Sequence, residues 1–333
     1  MSWDRSSMPD QTGRTVVVTG ANSGLGYEAT AAFAGNGADV VMACRSLGRG
    51  RQAAEEIRET LTGDAPAWAS APDSGSLTVM KLDLANLDSA TEFVESFTER
   101  FDDLHVLCNN AGVMAVPRGE TADGFERQFG INHLGHFALT GHLLPALRDT
   151  DGETRVVTQS SGVHENGSID FQDLQREQSY DKWDAYAQSK LANVLFGYEL
   201  DRRLNAAEGS SARAGDEDGA DTVSVVCHPG YANTNLQRRG PEESGSTLRL
   251  WAMKLANALL AQPASQGVLP MLYAATDDDI DGGEYIGPGG LMNARGAPEE
   301  QESNEESYDP DVADRLWAVS EELTGVEYDL PDA

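Results

Sequence analysis

The sequence predicts a single α/β domain built on a doubly wound parallel sheet, and two observations carry this prediction. Short, almost wholly apolar runs alternate with longer amphipathic segments from residue 15 to about residue 290. Apolar strands of this kind are typical of a parallel sheet that helices cover on both faces. Each strand is also separated from the next by a helix-length segment, and right-handed crossovers then give the doubly wound arrangement.

The apolar runs give the strands in order, and the segments between and after them give the helices. The predicted strands are Thr15–Thr19, Val40–Cys44, Leu77–Leu82, Leu104–Cys108, Arg155–Gln159 and Thr222–Cys227. The predicted helices are Tyr27–Asn36, Gly48–Leu61, Leu87–Phe101, Phe125–Leu147, Lys182–Asn205 and a terminal Val312–Leu323. Gly37 follows the first helix and suits its C-cap, because glycine adopts the left-handed conformation readily.

Two segments rich in Gly, Ser, Ala and Asp lie between a predicted helix and the next strand. Gly63–Ser76 and Glu208–Asp221 are therefore predicted to be surface loops. No internal repeat is visible. The predicted domain spans residues 13–295, with residues 1–12 and 296–333 as terminal extensions.

The charge balance excludes two classes of partner. The chain has 55 acidic residues against 24 Lys and Arg, four of them lysines, and a formal net charge of −31. Such a surface repels the phosphates of nucleic acids and of anionic membranes. Because the acidic residues are dispersed and molar salt screens charges beyond about 3 Å, we favour a halophilic origin. An ordinary acidic cytosolic protein is the alternative.

The cysteines and the apolar segments indicate the compartment. Cys44, Cys108 and Cys227 each end an apolar run, which predicts buried free thiols and a reducing environment. The polar segment Met1–Arg14 lacks the apolar core of a signal peptide. No window approaches about 18 consecutive apolar residues, so no membrane span is expected. The predicted location is cytoplasmic.

A glycine-rich turn joins the first predicted strand to the first helix. Its sequence from Thr19 is TGANSGLG, a G-x3-G-x-G spacing. Glycines permit a tight turn and a close approach of the backbone, and the helix N-terminus offers free N–H groups to a pyrophosphate. The candidate cofactor-binding residues in this turn are Gly20, Asn22, Ser23, Gly24, Leu25 and Gly26. A plain strand-to-helix turn is the alternative.

Tyr186 and Lys190 lie four residues apart on a predicted helix and so share one face. An alkoxide formed by hydride transfer must be protonated, and a phenol with a pKa near 10 is a poor acid at neutral pH. An ammonium group at ~4 Å would favour the phenolate by about 4 kcal/mol at an effective dielectric near 20. The pair therefore suits general acid–base chemistry, whereas the alternative is a solvated helix pair.

Two serines end the strand Arg155–Gln159. Ser160 and Ser161 would lie at the carboxyl edge of the sheet, where such folds bind their ligands. A hydroxyl at this edge can hold a substrate oxygen. Taken alone, either serine could also be a capping or turn residue.

Together these motifs resemble those of the classical short-chain dehydrogenases and reductases, whose fold is the Rossmann sheet. The resemblance covers about Gly13 to Gly290. Its motifs are TGANSGLG, ACRS, NNAGVM from Asn109, INHLGHF from Ile131, YAQSKLANVLF from Tyr186, HPG from His228 and EYIG from Glu284. The finer text is similar to the retinol dehydrogenase and WW-domain oxidoreductase branch.

The resemblance implies four catalytic residues. Tyr186 would be the proton donor or acceptor, and Lys190 would lower its pKa and hold the nicotinamide ribose. Ser161, rather than Ser160, would orient the substrate oxygen, although its gap of 25 residues to Tyr186 is longer than usual in the family. Asn132 would join a proton relay through an irregularity in its helix and a water molecule.

The resemblance also implies cofactor contacts outside the glycine-rich turn. Asp83 would contact the adenine, and Pro229, Gly230 and Thr234 would meet the nicotinamide carboxamide. Asn110 and Gly112 would line the adenosine side. The remaining cofactor-binding candidates are Leu84, Ala111, Tyr186 and Lys190. Each has a plain alternative: an N-cap for Asp83, turn formers for the asparagines and a bend at the Pro-Gly pair.

The end of the second strand predicts the choice of cofactor. Asp39 precedes that strand and lies at the wrong end to reach the ribose, whereas Arg45 follows it. A guanidinium at this position clasps a 2′-phosphate through charge-assisted hydrogen bonds, with Arg49 nearby. NADP(H) is therefore expected rather than NAD(H), unless Arg45 is simply a surface residue.

Two further features are weaker. His133 and His136 are three residues apart with no third ligand evident, so no metal site is predicted. Ser246–Leu260 is rich in large apolar residues, and a lid over the substrate, a dimer surface and a membrane-surface helix are all open.

The expected function is that of an oxidoreductase acting on a small alcohol or carbonyl substrate, with an apolar substrate and a homo-oligomer among the options. The alternatives are a non-catalytic dinucleotide-sensing protein and a scaffold, since a fold does not fix a function. Asn132, Ser161 and the Tyr186–Lys190 pair favour the enzyme, because a sensor needs only the glycine-rich turn.

Overall fold

The computed structural model describes residues 3–63, 66–71, 74–211, 222–230, 263–290 and 293–332. The strands are β1 Thr15–Thr19, β2 Asp39–Cys44, β3 Leu77–Lys81, β4 Val106–Asn109, β5 Thr154–Gln159, β6 Thr222–Cys227, β7 Tyr285–Pro288 and β8 Pro298–Glu300. They form one sheet in the order β3-β2-β1-β4-β5-β6-β7-β8, and only the β7–β8 pair is antiparallel. The predicted doubly wound parallel sheet in one domain is confirmed.

Helices cover both faces of this sheet. Those in the described residues are α1 Gly24–Gly35, α2 Leu47–Thr62, α3 Leu87–Thr98, α4 Arg127–Phe129, α5 Gly135–Arg148, α6 Lys182–Ser211, α7 Ala264–Gly267, α8 Leu269–Thr276 and α9 Pro310–Thr324. None of them is long and apolar enough to cross a membrane. The one helix predicted over Phe125–Leu147 is in fact α4 and α5 joined by the π-helical turn Gly130–Leu134.

The central strands are largely apolar because their side chains enter two hydrophobic cores, one on each face of the sheet. In β1, Val16 and Val18 belong to one buried cluster, whereas Val17 between them belongs to another. Successive side chains of a strand point to opposite faces, so the two clusters lie on the two sides of the sheet. Burying a valine of this kind contributes roughly 1.5–3 kcal/mol. Cys44, Cys108 and Cys227 are buried free thiols in the first cluster, as predicted.

Three features of the C-terminal part and one loop differ from the sequence-based expectation. Strand β7 is four residues long and β8 three, too short to show a periodicity. β8 begins beyond the expected domain boundary at residue 295, yet it pairs with β7. In α9, Leu316 and Trp317 are 2% and 3% exposed, so the predicted C-terminal extension packs onto the domain. Of the predicted loop Glu208–Asp221, α6 takes the part up to Ser211, and the rest lies outside the described residues.

The topology brings the carboxyl ends of four strands to one edge of the sheet. β1, β4 and β5 are neighbours and parallel, and β2 flanks β1 on the other side. Their carboxyl ends, at Thr19, Cys44, Asn109 and Gln159, therefore open onto the same edge. The strand order reverses between β1 and β4, since β2 and β3 follow β1 on one side and β4 to β8 lie on the other. This is the usual place for a ligand cleft in such sheets.

Candidate active site

The turn after β1 has a backbone that only glycines accept without strain. Gly20 and Gly24 have φ of +68° and +59°. A Cβ on Gly26 would lie 2.6 Å from the side-chain nitrogen of Asn110 and 2.6 Å from the carbonyl oxygen of Gly20. Ser23 precedes α1 without making a side-chain cap hydrogen bond. The first N–H groups of α1 are therefore left for a ligand in the cleft.

Thr19 fastens this turn to the segment after β4. Its hydroxyl oxygen accepts hydrogen bonds from the backbone N–H groups of Asn110 and Ala111, both at 2.9 Å. The side-chain amide of Asn110 donates to the carbonyl oxygen of Thr19 at 2.7 Å. The two predicted cofactor motifs thus form one rigid unit across the β1–β4 edge.

The two serines after β5 have different surroundings. Ser160 is 2% exposed, and its hydroxyl donates to the carbonyl oxygen of Lys190 at 2.8 Å. Both serines line the cleft, but Ser161 is half-buried and its hydroxyl is the one that lowers the pKa of Tyr186. Of the two, Ser161 is therefore the serine that stands beside the tyrosine.

Tyr186 and Lys190 lie one turn apart on α6, and both line the cleft. The ammonium group of Lys190 donates to the carbonyl oxygen of Gln159 at 2.8 Å. The amide of Asn193 donates to the same oxygen at 3.0 Å. These contacts hold α6 against the carboxyl end of β5.

Burial is the main cause of the pKa shifts of Tyr186 and Lys190. It raises the pKa of Tyr186 to about 12, and the hydrogen bond from Ser161 opposes this rise. Burial lowers the pKa of Lys190 to about 8. The expected lowering of the tyrosine pKa by Lys190 is not seen in the chain alone, where the ammonium group is held at Gln159 instead.

Asn132 lies behind the cleft, in the π-helical turn. It is fully buried, and its side chain exchanges two hydrogen bonds with the backbone of Val113, at 2.8 and 2.9 Å. A Cβ on Gly112 would lie 3.0 Å from the Asn132 side-chain oxygen and 3.8 Å from the Lys190 nitrogen. The helix irregularity expected at Asn132 is present, and Gly112 leaves the space that Asn132 and Lys190 approach.

The charge of the cleft differs from that of the chain. Of the lining residues that the structure describes, Arg45, Arg49 and Lys190 are cationic and Asp83 alone is acidic. Arg45 follows β2 at its carboxyl end and is exposed. Asp39 begins β2 at the opposite end and accepts a hydrogen bond from the Ser76 N–H at 3.1 Å. A guanidinium, not a carboxylate, therefore lines the cleft at this strand end.

The structure brings most of the predicted site residues into one cleft. Those that line it are Gly20, Asn22, Ser23, Gly24, Leu25, Arg45, Asp83, Leu84, Asn110, Ala111, Gly112, Ser161, Tyr186, Lys190, Pro229 and Gly230. Gly26 and Asn132 do not line the cleft themselves, but each lies next to a residue that does: Gly26 next to Asn110, and Asn132 next to Gly112. Thr234 and the segment Ser246–Leu260 lie outside the described residues.

Sequence reasoning missed part of the lining. The unpredicted residues are Ala43, Leu82, Val113, Met114, Ile131 and Gln159. Ala43 and Gln159 stand at or next to the carboxyl end of their strands, so the position rule that selected the serines could have found them. Val113, Met114 and Ile131 are apolar residues beside predicted motifs, and nothing in their sequence distinguishes them from core residues.

Comparisons with known proteins agree with this geometry. The family model for short chain dehydrogenase matches residues 14–208. The chain is 39% identical to mouse (Mus musculus) retinol dehydrogenase 14 over 322 residues, which cover 94% of this chain and 86% of that protein. It is 35% identical to human (Homo sapiens) polyprenol dehydrogenase over 325 residues, 96% of this chain and 87% of that protein. A crystal structure of an uncharacterized protein from Mycobacterium Paratuberculosis is similar at 36% identity and a TM-score of 0.75, covering 98% of this chain and 99% of that one.

Proposed function

Because the chain belongs to the short-chain dehydrogenase family, and is therefore an oxidoreductase acting on alcohol or carbonyl groups, we propose that it transfers a hydride between NADP(H) and an apolar small molecule. The observation that carries this proposal is that Ser161, Tyr186 and Lys190 line the same cleft as the start of α1, which has no side-chain cap. One end of the cleft suits a pyrophosphate, and the other suits a substrate oxygen.

The residues present fit a dinucleotide. The left-handed glycines and the absent Cβ of Gly26 leave the backbone of the turn open to close approach. Free N–H groups at the start of α1 would hold the pyrophosphate, and Asp83 at the β3 end would meet the adenine. Lys190 would hold the nicotinamide ribose. When bound, the nicotinamide supplies or accepts the hydride.

Arg45 is the basis for proposing NADP(H) over NAD(H). It lies where NAD-binding folds place a carboxylate for the ribose 2′-hydroxyl, and Arg49 lines the cleft one helical turn later. A guanidinium fork pairs with a phosphate through two parallel hydrogen bonds. The cofactor's 2′-phosphate would thus meet two cations and no carboxylate among the described residues at this strand end.

The acid–base step falls to Tyr186. In the direction of carbonyl reduction, its hydroxyl donates a proton to the substrate oxygen while the Ser161 hydroxyl donates a hydrogen bond to the same oxygen. Because burial raises the pKa of Tyr186, the phenol is protonated at neutral pH and carries the proton that the reduction needs. Lys190 then faces a phenolate and stabilises it by its charge. Asn132 completes the proposed relay behind Lys190.

The relatives support an apolar substrate. Retinol and polyprenol, the compounds in their names, are alcohols on long apolar chains. The described lining of the cleft includes the apolar Val113, Met114 and Ile131. We therefore propose an alcohol or aldehyde on an apolar body.

The second candidate is a dinucleotide-sensing protein without turnover. A sensor would need the glycine-rich turn and Arg45, but not a hydroxyl pair aimed at a substrate oxygen. A panel of apolar and polar alcohols, aldehydes and ketones, with NADPH formation or consumption read at high salt, separates the two. Turnover of any apolar member supports the enzyme, whereas tight NADPH binding with no turnover across the panel supports the sensor.

A further inference from the structure

Two buried histidines of the same segment face different parts of the molecule. His133 and His136 are each 1% exposed. The Nε2 of His133 lies 2.8 Å from the hydroxyl of Ser320 in α9, and its ring packs against those of Phe129 and Phe137. The Nε2 of His136 lies 3.0 Å from the Thr19 hydroxyl, and its Nδ1 lies 3.0 Å from the carbonyl oxygen of Asn132. Only His136 touches the candidate site.

The contacts of His136 fix its tautomer. A carbonyl oxygen only accepts hydrogen bonds, so Nδ1 carries a hydrogen and donates to Asn132. Burial lowers the pKa of His136 to about 4, so the ring is neutral at pH 7 and its Nε2 is an acceptor. Thr19 already accepts from Asn110 and Ala111, and its hydroxyl hydrogen is therefore free for His136 or for the Cys108 carbonyl at 3.2 Å.

One ring thus connects the two halves of the site. Through Thr19 it contacts the residue that fastens the glycine-rich turn to the β4 segment. Through the Asn132 carbonyl it contacts the π-helical turn, whose Asn132 amide in turn donates to the Ser189 hydroxyl at 2.9 Å. Ser189 immediately precedes Lys190 on α6. The contacts of His136 therefore run from the cofactor turn to the helix of Tyr186 and Lys190.

We propose that His136 is a positioning residue of the oxidoreductase: its Nδ1–H pins the carbonyl of Asn132, and its Nε2 accepts from Thr19. This rests on the proposed function. A displacement of about 1 Å at a catalytic group can cost about a hundredfold in rate. His136 acts through Asn132 and Thr19 and is placed in contact with neither substrate nor cofactor.

Three substitutions test the rate effect. His136→Leu removes both contacts, whereas His136→Asn keeps an N–H donor near the position of Nδ1. His133→Leu is the matched control, because it removes an equally buried imidazole that faces Ser320 instead. We expect kcat to fall about 10- to 100-fold in His136→Leu, and the KM for NADPH to rise because Thr19 also loses its partner. In His136→Asn, which keeps only the donor toward Asn132, kcat is expected to recover largely. The control is expected to lower the unfolding midpoint while leaving kcat per folded molecule within about twofold.

A measurement on the unmutated protein covers the case in which a variant fails to fold. Nitrogen-15 NMR of labelled histidine reads the tautomer directly, and the neutral Nδ1–H form is expected for His136 at pH 7. A protonated Nε2, a kcat unchanged in His136→Leu, or an equal loss in His136→Leu and His136→Asn would overturn the proposal. Absence of turnover in the unmutated protein is a different result, since it contradicts the proposed function itself.

Discussion

The candidate cleft and the whole chain carry opposite charge. The described lining holds Arg45, Arg49 and Lys190 against Asp83, whereas the chain has a net charge of −31 with only four lysines. Net charge reports on solubility and on non-specific partners. The charge of a cleft reports on what binds in it. The difference shows that the charge of the cleft cannot be read from the net charge of the chain, and it is the basis for proposing a phosphate-bearing ligand at Arg45 and Arg49.

The largest effect is expected at Tyr186, the proposed acid–base residue. Tyr186→Phe removes the proton path and is expected to lower kcat by about 10²–10⁴-fold, with NADPH binding retained. Steady-state kinetics and a binding titration give the two quantities. Tyr198→Phe is the matched control, because Tyr198 is also buried on α6 but its hydroxyl bonds Ser303 away from the cleft. Near-normal kcat in Tyr186→Phe would remove this residue from its proposed role.

The next effect separates the two directions of reaction by pH. Because burial raises the pKa of Tyr186 to about 12, the phenol is an acid over the neutral range. Alcohol oxidation needs it as a base and is expected to quicken by up to about tenfold per pH unit toward alkaline pH. Carbonyl reduction is expected to stay level over the same range. Rates from pH 6 to 10 in both directions check this, and an oxidation rate that falls with pH would be inconsistent with it.

A smaller effect is expected at the phosphate end of the cleft. Arg45→Ala is expected to shrink the preference for NADP(H) by about tenfold or more, since a hydrogen bond to a charged group contributes about 1.5–3 kcal/mol. Arg45→Asp is expected to reverse the preference. Arg51→Ala is the control, because Arg51 is an exposed cation of α2 that does not line the described cleft. An unchanged cofactor ratio in Arg45→Ala would show that this guanidinium does not contact the phosphate.

The smallest effects are expected from added salt, which should stabilise the fold and weaken the binding of NADPH. Self-repulsion among the acidic side chains is expected to destabilise the fold at low salt, so the unfolding midpoint rises as KCl is raised to molar concentration. In the cleft the same salt screens an attraction, so the KM for NADPH is expected to rise. A midpoint that is flat, or highest at low salt, would refute the halophilic interpretation and leave the proposal for the cleft intact.

Candidate site residues at strand ends could be predicted from the sequence, whereas the contacts between distant segments that hold them could not. The turn Thr19–Gly26, the pair Ser160 and Ser161, and Tyr186 could be singled out because they follow strand ends or share a helix face with Lys190, and local spacing determines such positions. Tertiary contacts decide the rest. The choice of Ser161 over Ser160 is supported by the bond from Ser160 to Lys190, which no spacing reveals. The link from His136 to Thr19 spans 117 residues.

The elements that could not be predicted are the two short strands at one end of the sheet, β7 and β8. β7 pairs with β6 through Tyr285 and Ile286 alone, and β8 depends on β7 for its partner. Strands this short are stabilised by their neighbours and carry no periodic signal of their own. The location in the cytoplasm and the oligomeric state stay predictions.

The most direct test of the central claim is a side-by-side determination of kcat/KM for NADPH and NADH with one apolar aldehyde, on the unmutated protein in molar KCl. A cationic cleft with Arg45 at the β2 end predicts turnover with both cofactors and a preference for NADPH of about tenfold or more. Equal values, or a preference for NADH, would contradict the assignment of NADP(H), and no turnover with either across the substrate panel would contradict the assignment of an enzyme.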